Sequence, residues 1–234
     1  MKSSPMQLPL EIQLRPDNNF HSFYVAAANR ELVTSLKSCS AGGVRQLIYL
    51  HGEAQSGRSH LLEAACREVA AGRAVYMPLA ELHDAGQADA LENLEQLQIV
   101  CLDDIQHIAG QLEWEHALFH LFNRVLASPD TNLLVASSAS PPNTGFHLPD
   151  LLSRLNSMLV YRVQSMDDTE KAACLQFRAR QLGLELGDEA CSYILLRADR
   201  QLGNLLAVLS RLDSASLAAQ RRLTVPFVKQ VMGW

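Results

Sequence analysis

The stretch HGEAQSGRSH (residues 51–60) decides the predicted fold because it closely matches a phosphate-binding loop. Gly52, Gly57, Arg58 and Ser59 fit the pattern G-x-x-x-x-G-[KR]-[ST]. Glycines let the backbone curl so that its N–H groups point at phosphate oxygens, and the N-terminus of the following helix adds its dipole. The alternative is an ordinary glycine-rich turn between a strand and a helix.

The surrounding sequence favours the phosphate-binding interpretation. RQLIYLHG (45–52) is typical of a buried strand, and SGRSHLLEAACREVAAG (56–72) has apolar residues at helical spacing. A strand, a glycine loop and a helix in this order form a nucleotide-binding unit. The expected ligand is a nucleotide with Mg²⁺, and the residues expected to touch it are Gly52, Ala54, Gln55, Ser56, Gly57, Arg58, Ser59 and His60, with Ser59 on the metal.

Arg58 stands where a lysine is usual in such loops. Arginine keeps the positive charge, but its guanidinium is larger and planar, so the two residues are not interchangeable. We expect binding of a diphosphate to survive, whereas the geometry around a γ-phosphate is left open.

Further strands and helices alternate along the first two thirds of the chain. Strands are predicted at AVYMPL, QIVCLDDI, NLLVASSAS and MLVYRV, and helices at EWEHALFHLFNRVLAS and PDLLSRLNS. This alternation predicts an α/β fold with a five-stranded parallel sheet flanked by helices. Beyond Gln164 the pattern is helical, with four candidate helices. The predicted domains are a flexible segment 1–18, an α/β nucleotide-binding domain 19–164 and a small all-α domain 165–234.

Two acidic residues, Asp103 and Asp104, end the third predicted strand. Asp103 is expected to hold Mg²⁺ directly or through water, and Asp104 to polarise an attacking water. Ser137 or Ser138, at the end of the fourth strand, could orient a water near a γ-phosphate. A strand that runs into a turn is the alternative for both features. The preceding phosphate loop favours the ligand interpretation of the acidic pair, whereas the role of the serines stays open.

Other candidate residues have two open interpretations. Arg154, on a short helix, is either a surface ion-pair partner or an arginine finger that reaches a neighbouring nucleotide. Phe23 and Val25 either line a base pocket or belong to the core. QLPLEI (residues 7–12) is either a strand packed on its own domain or a peptide that inserts into a partner, with Gln7, Leu8, Leu10 and Ile12 as anchors.

The composition excludes several classes of protein. The net charge of −5 argues against a general attraction to nucleic acid. Five cysteines without a C-x-x-C pair indicate reduced thiols, so we expect a cytoplasmic protein. The N-terminus lacks the apolar region of a signal peptide, and no apolar run reaches membrane-spanning length.

Several of these segments together resemble the AAA+ region of the bacterial replication initiator DnaA. The similar segments are SGRSHLLEA, VCLDDIQHIAG, LPDLLSRL and the helical tail, and the resemblance covers roughly residues 19–234. It implies a P-loop AAA+ domain followed by an α-helical lid. The sequence ends at Trp234, after the lid, so we expect the DNA-binding domain of that family to be missing.

QLPLEI is similar to sliding-clamp-binding peptides of the form Q-L-x-L-x-hydrophobic. Together with Arg58, this resemblance points to the DnaA-related regulators that inactivate DnaA. It implies an ADP-bound adaptor that docks on the DNA-loaded β sliding clamp and presents Arg154 to ATP held by DnaA. DNA is then contacted only through the clamp, no membrane is involved, and homo-oligomers are possible.

One family position departs from the pattern. Gly203 falls where a second sensor arginine is usual, and Arg200, one helical turn earlier, is the candidate substitute. Without an arginine at position 203, contact with a γ-phosphate is weakened, which agrees with a site that holds ADP. Two other functions stay open at this point: an ATPase or helicase-loader-like protein that hydrolyses its own ATP, and a structural clamp-binding module with a vestigial site.

Overall fold

The computed structural model describes residues 14–43, 45–219 and 221–234. Contacts within the chain divide it into two units. Among the described residues, the first contains 14–23 together with Asn29–Val163, and the second contains Tyr24–Ala28 together with Gln164–Trp234. The segment Tyr24–Ala28 therefore groups with the helical unit, although the sequence assigned it to the α/β domain. Tyr24 explains this grouping, because its ring packs edge-on against Phe177, with centroids 5.7 Å apart.

The first unit is built on five parallel strands, as predicted. They are β1 (Leu47–His51), β2 (Ala74–Pro78), β3 (Ile99–Asp103), β4 (Asn132–Ser137) and β5 (Leu159–Arg162). Their order in the sheet is β2-β3-β4-β1-β5. Every residue of β3 and β4 is buried, which accounts for the apolar runs IVCL and LLVA within them.

Helices cover the sheet of the first unit. They are α1 (Arg30–Ser40), α2 (Arg58–Arg67), α3 (Leu79–Asp84), α4 (Leu112–Ala127) and α5 (Pro149–Asn156). Helix α2 is shorter than predicted. Helix α3 was not predicted, since its six residues are too few for an apolar period to be recognised.

The second unit is the predicted set of four helices. They are α6 (Asp168–Gln181), α7 (Asp188–Arg197), α8 (Leu202–Ala219) and α9 (Val225–Met232). Asp167 caps α6 by accepting a hydrogen bond from the Glu170 N–H, and the Glu170 side chain accepts one from the Asp167 N–H. Leu175, Leu205 and Leu209 lie in the buried core of this unit.

The parallel register brings the functional segments to one edge of the sheet. His51 pairs with Ser137, and Pro78 pairs with Asp103, at the carboxyl ends of their strands. Ligands of open α/β sheets bind at this edge. Within the described ranges, no helix is both long and apolar enough to cross a membrane. All five cysteines are buried free thiols.

Glu115 organises the loops on one side of this edge. Its carboxylate, fully buried on α4, accepts hydrogen bonds from the backbone N–H groups of Gly110, His147 and Leu148 at 2.8, 3.0 and 2.7 Å. These bonds join the loop after β3 to the loop that leads into α5.

We predict that Glu115→Ala lowers the free energy of unfolding by about 3 kcal/mol, because it leaves three backbone N–H groups without their acceptor. Glu113→Ala, an exposed position on the same helix, should change it by less than about 0.5 kcal/mol. Urea denaturation of the two variants measures the difference. Equal effects would show that the buried carboxylate contributes nothing specific.

Candidate nucleotide site

The loop between β1 and α2 has the tight path that the glycine pattern predicts. Gly57 has a φ of +100°, and a Cβ atom there would lie 2.8 Å from the Phe23 ring. A Cβ atom on Gly52 would lie 2.7 Å from the Val163 carbonyl oxygen. Gln55 also has a positive φ, +62°. Glycine is therefore required at both ends of the loop, and the backbone curls between them around Ala54 and Ser56.

Ser56 contributes an unpartnered hydroxyl to this loop. Its Oγ atom is buried and has no hydrogen-bond partner among the residues that the structure describes. Buried polar atoms in folded proteins are nearly always paired, so a single unpaired one in a phosphate-type loop fits a ligand that supplies the partner. The loop therefore fits a bound phosphate group.

Asp103 and Ser59, the two residues predicted to hold Mg²⁺, are hydrogen-bonded to each other. The Asp103 carboxylate is 2 % exposed and accepts a hydrogen bond of 2.7 Å from the Tyr76 hydroxyl and another from Ser59. Burial raises the pKa of Asp103, and the hydrogen bonds from Ser59 and Tyr76 oppose this rise. A carboxylate next to a hydroxyl is a suitable partial ligand set for Mg²⁺. Within residues 14–43, 45–219 and 221–234, no cluster of three or more His, Cys, Asp or Glu could hold a metal unaided.

Arg58, the first residue of α2, is turned back over the loop. Its Nη1 atom donates to the Gly52 carbonyl oxygen, and its Nη2 atom lies 3.4 Å from Asp104 Oδ1. The side chain of Arg58 is only 11 % exposed, compared with 35 % for Asp104. Arginine at this position thus joins the start of the phosphate loop to the end of β3.

Asp104 is held from a second side by Gln106. Gln106 Nε2 donates to Asp104 Oδ1 at 3.0 Å, and Gln106 Oε1 accepts from the Ser138 backbone N–H at 3.1 Å. The fully buried Tyr49 fixes the adjoining turn by donating its hydroxyl to the Ala139 carbonyl oxygen at 2.8 Å. Burial raises the pKa of Tyr49 to about 12, so this hydroxyl stays protonated.

Phe23 and His60 attach the preceding segment to the loop and α2. Their rings meet edge-on with centroids 5.2 Å apart, and His60 Nε2 lies 3.0 Å from the Asn19 carbonyl oxygen. Phe23 is buried, which fits both its interpretations, as core residue and as base contact. Val25 is half-buried in the segment that groups with the helical unit.

The two predicted arginine contacts differ in their surroundings. Arg154 is exposed on α5, whose buried Leu151 and Leu155 anchor that helix in the core. In the described part of the chain, its guanidinium has no hydrogen-bond or ion-pair partner. Arg200, also exposed, pairs with Asp168 inside the helical unit, with Nη1 and Oδ2 2.7 Å apart. Gly203 lies at the start of α8.

Four predicted contact residues fall outside the described ranges. These are the peptide anchors Gln7, Leu8, Leu10 and Ile12, and their role stays a prediction.

The sequence did not single out Tyr49, Tyr76 or Gln106. Tyr49 and Tyr76 lie on strands, and the residues that they bond are far away in the chain, so spacing gives no signal for them. Gln106 is the second residue after the acidic pair in LDDIQ, which was the available signal.

Comparisons with known proteins agree with this fold. The family model of the bacterial DnaA ATPase domain matches residues 14–164, and that of the Hda lid domain matches residues 168–232. Domain III of Thermotoga maritima DnaA is 20% identical with a TM-score of 0.75, and the match covers 94% of this chain and 98% of that one.

Two further structures are similar in fold. AMPPCP-bound DnaA from Aquifex aeolicus is 22% identical with a TM-score of 0.70, over 84% of this chain and 65% of that one. The Thermotoga maritima RuvB branch migration motor is 17% identical with a TM-score of 0.68, over 94% and 72%. The DnaA model spans more than half of the chain, and the lid model accounts for most of the rest. The chain therefore belongs to the family of the bacterial DnaA ATPase domain, as an Hda- and DnaA-like AAA+ protein.

Proposed function

We propose that this protein regulates the initiation of DNA replication by stimulating the hydrolysis of ATP bound to DnaA. In this proposal, it holds ADP in its own site and docks on the DNA-loaded β sliding clamp through residues 7–12. The match to an Hda-type lid after a DnaA-type ATPase region supports the choice of this regulatory branch.

An adenine nucleotide is the ligand that the site supports. The relative from Aquifex aeolicus was solved with AMPPCP, and the loop with its unpaired Ser56 hydroxyl fits a phosphate group. Ser59 and Asp103 are the residues that would hold Mg²⁺, which screens phosphate charge when it is bound. Phe23, at the loop, is available to pack against the nucleotide from the side of the preceding segment.

The observation that carries the regulatory function is the position of Arg154. It is exposed and unpaired within the described structure, on a helix that two buried leucines fix in place. A positioned guanidinium without an internal partner is suited to stabilise charge on a phosphoryl group bound by another molecule.

The residues near the protein's own site support binding more than turnover. Asp104, the expected water-polarising residue, is engaged by both Arg58 and Gln106. An ATPase that acts on its own nucleotide is the alternative function, and the retained Ser59 and Asp103 favour it.

We predict that ADP with Mg²⁺ raises the melting temperature of the purified protein more than ATP with Mg²⁺ does. In Ser59→Ala, the part of this rise in melting temperature that depends on Mg²⁺ should be lost. Ligand binding to the folded state alone stabilises it by mass action. Ser153→Ala, an exposed serine outside the site, is the matched control. No shift with either nucleotide excludes the proposed cofactor. Rapid phosphate release from ATP by the protein alone would favour the alternative function.

We predict that Arg154→Ala lowers stimulated hydrolysis of DnaA-bound ATP by about 10³-fold, because trans arginine fingers contribute on the order of 10³–10⁵ in rate. The assay combines DnaA loaded with labelled ATP, clamp on DNA and this protein with ADP. Arg73→Ala, an exposed arginine just before β2, should retain full stimulation. Normal stimulation by the Arg154 variant excludes it as the finger.

We predict that Gln7→Ala combined with Leu8→Ala weakens clamp binding at least about tenfold, since buried anchors dominate such interfaces. An unchanged melting temperature is expected, which verifies that the variant folds. Gel filtration with the clamp measures binding, and Ser3→Ala with Ser4→Ala is the control. Unchanged co-elution of the Gln7 and Leu8 variant rules out this peptide as the docking element.

A further inference from the structure

We propose that the Arg58–Asp104 ion pair makes this site selective for nucleoside diphosphates over triphosphates. In this view, the pair occupies the position into which a third phosphate has to enter. The inference rests on the proposed nucleotide site and identifies the two residues that determine which nucleotide is retained there.

The pair is built into the site, unlike an incidental surface contact. Arg58 is 11 % exposed, and its guanidinium contacts the Gly52 carbonyl oxygen as well as Asp104. Asp104 is more exposed, at 35 %, so the geometry of the pair is set mainly by the shielded arginine and its second hydrogen bond. The guanidinium presents donors in several directions, so it can bridge two acceptors in a way that a lysine ammonium reproduces poorly.

Asp104 has little freedom to move away from this pair. Its backbone is left-handed, with a φ of 54°, and its N–H group donates to Asp103 Oδ1 at 2.9 Å. Gln106 Nε2 donates to the same carboxylate oxygen that faces Arg58, and Gln106 is itself bound to the Ser138 N–H. The negative charge of Asp104 therefore stays beside the loop.

The neighbouring residues place the pair next to the third phosphate. Arg58 directly precedes Ser59, and Asp104 directly follows Asp103, so the pair flanks the two cation ligands. In P-loop sites, the metal held by such ligands bridges β- and γ-phosphate oxygens. A γ-phosphate thus approaches the Asp104 carboxylate and competes with it for Arg58.

A diphosphate avoids both the repulsion from the Asp104 carboxylate and the loss of the contact between Arg58 and Asp104. Its terminal phosphate lies in the loop, where the remaining guanidinium donors of Arg58 can face it while the contact with Asp104 persists. A triphosphate adds negative charge next to a fixed carboxylate and needs the ion pair to open. The ion pair therefore changes the affinity for the triphosphate relative to the diphosphate, and this change can be measured without hydrolysis.

The test is isothermal titration calorimetry of ADP and of the non-hydrolysable triphosphate AMPPCP, both with Mg²⁺. The quantity compared is the Kd for AMPPCP divided by the Kd for ADP, expected to be about 10 or more in the unmodified protein. Asp104→Asn, which keeps the shape and removes the charge, should bring this ratio to about 1–2. Arg58→Lys should also lower it, and the double variant should lower it no further than the stronger single change.

Asp130→Asn is the matched control, because this exposed carboxylate precedes β4 at the opposite edge of the sheet. It should leave the ratio unchanged, and melting without nucleotide verifies that every variant folds. An unchanged ratio in Asp104→Asn, or independent additive effects of the two changes, overturns the inference while the nucleotide site stands. Failure of the unmodified protein to bind either nucleotide overturns the proposed site as well.

Discussion

The Asp103 carboxylate joins three separate elements of the α/β unit. It ends β3, and it accepts hydrogen bonds from Tyr76 on β2 and from Ser59 on α2. Asp103 is only 2 % exposed, and a buried carboxylate without hydrogen bonds is costly in free energy, so both bonds are needed to stabilise it there. The start of α2, and with it the phosphate loop, is thereby held at the carboxyl edge of the sheet. The contacts of Arg58 with Asp104 depend on that placement.

The site combines a phosphate-type loop with an unusual pairing of charged side chains. The loop has the shape and the free Ser56 hydroxyl that suit a phosphate, yet its arginine is paired with the acid expected to activate water. Arg154, by contrast, is exposed and lacks an internal partner in the described residues. This distribution is the physical basis for proposing that the protein retains a nucleotide and acts on one bound by DnaA.

The sequence predicts the strands, most helices and the loop because their signals are local. Glycine spacing, apolar runs and strand-terminal acids each depend on a few neighbouring residues, as with Gly57 and Asp103. The bond from Tyr76 to Asp103 and the bridge of Gln106 to Ser138 depend on strand pairing across the chain, which spacing does not encode. The grouping of Tyr24 with the helical unit has the same cause, because the Phe177 that it contacts is distant in sequence. The Arg58 pair depends on a side-chain rotamer that composition does not specify.

The central claim is that this protein promotes hydrolysis of a nucleotide that it does not itself bind. A double-label experiment tests it most directly: DnaA is loaded with ATP carrying one phosphorus isotope in the γ-position, and this protein is supplied with ADP together with free ATP carrying another isotope. After mixing with clamp on DNA, we expect released phosphate to carry the DnaA label and its release to need this protein. Release dominated by the other label, at a rate independent of DnaA, would contradict the account.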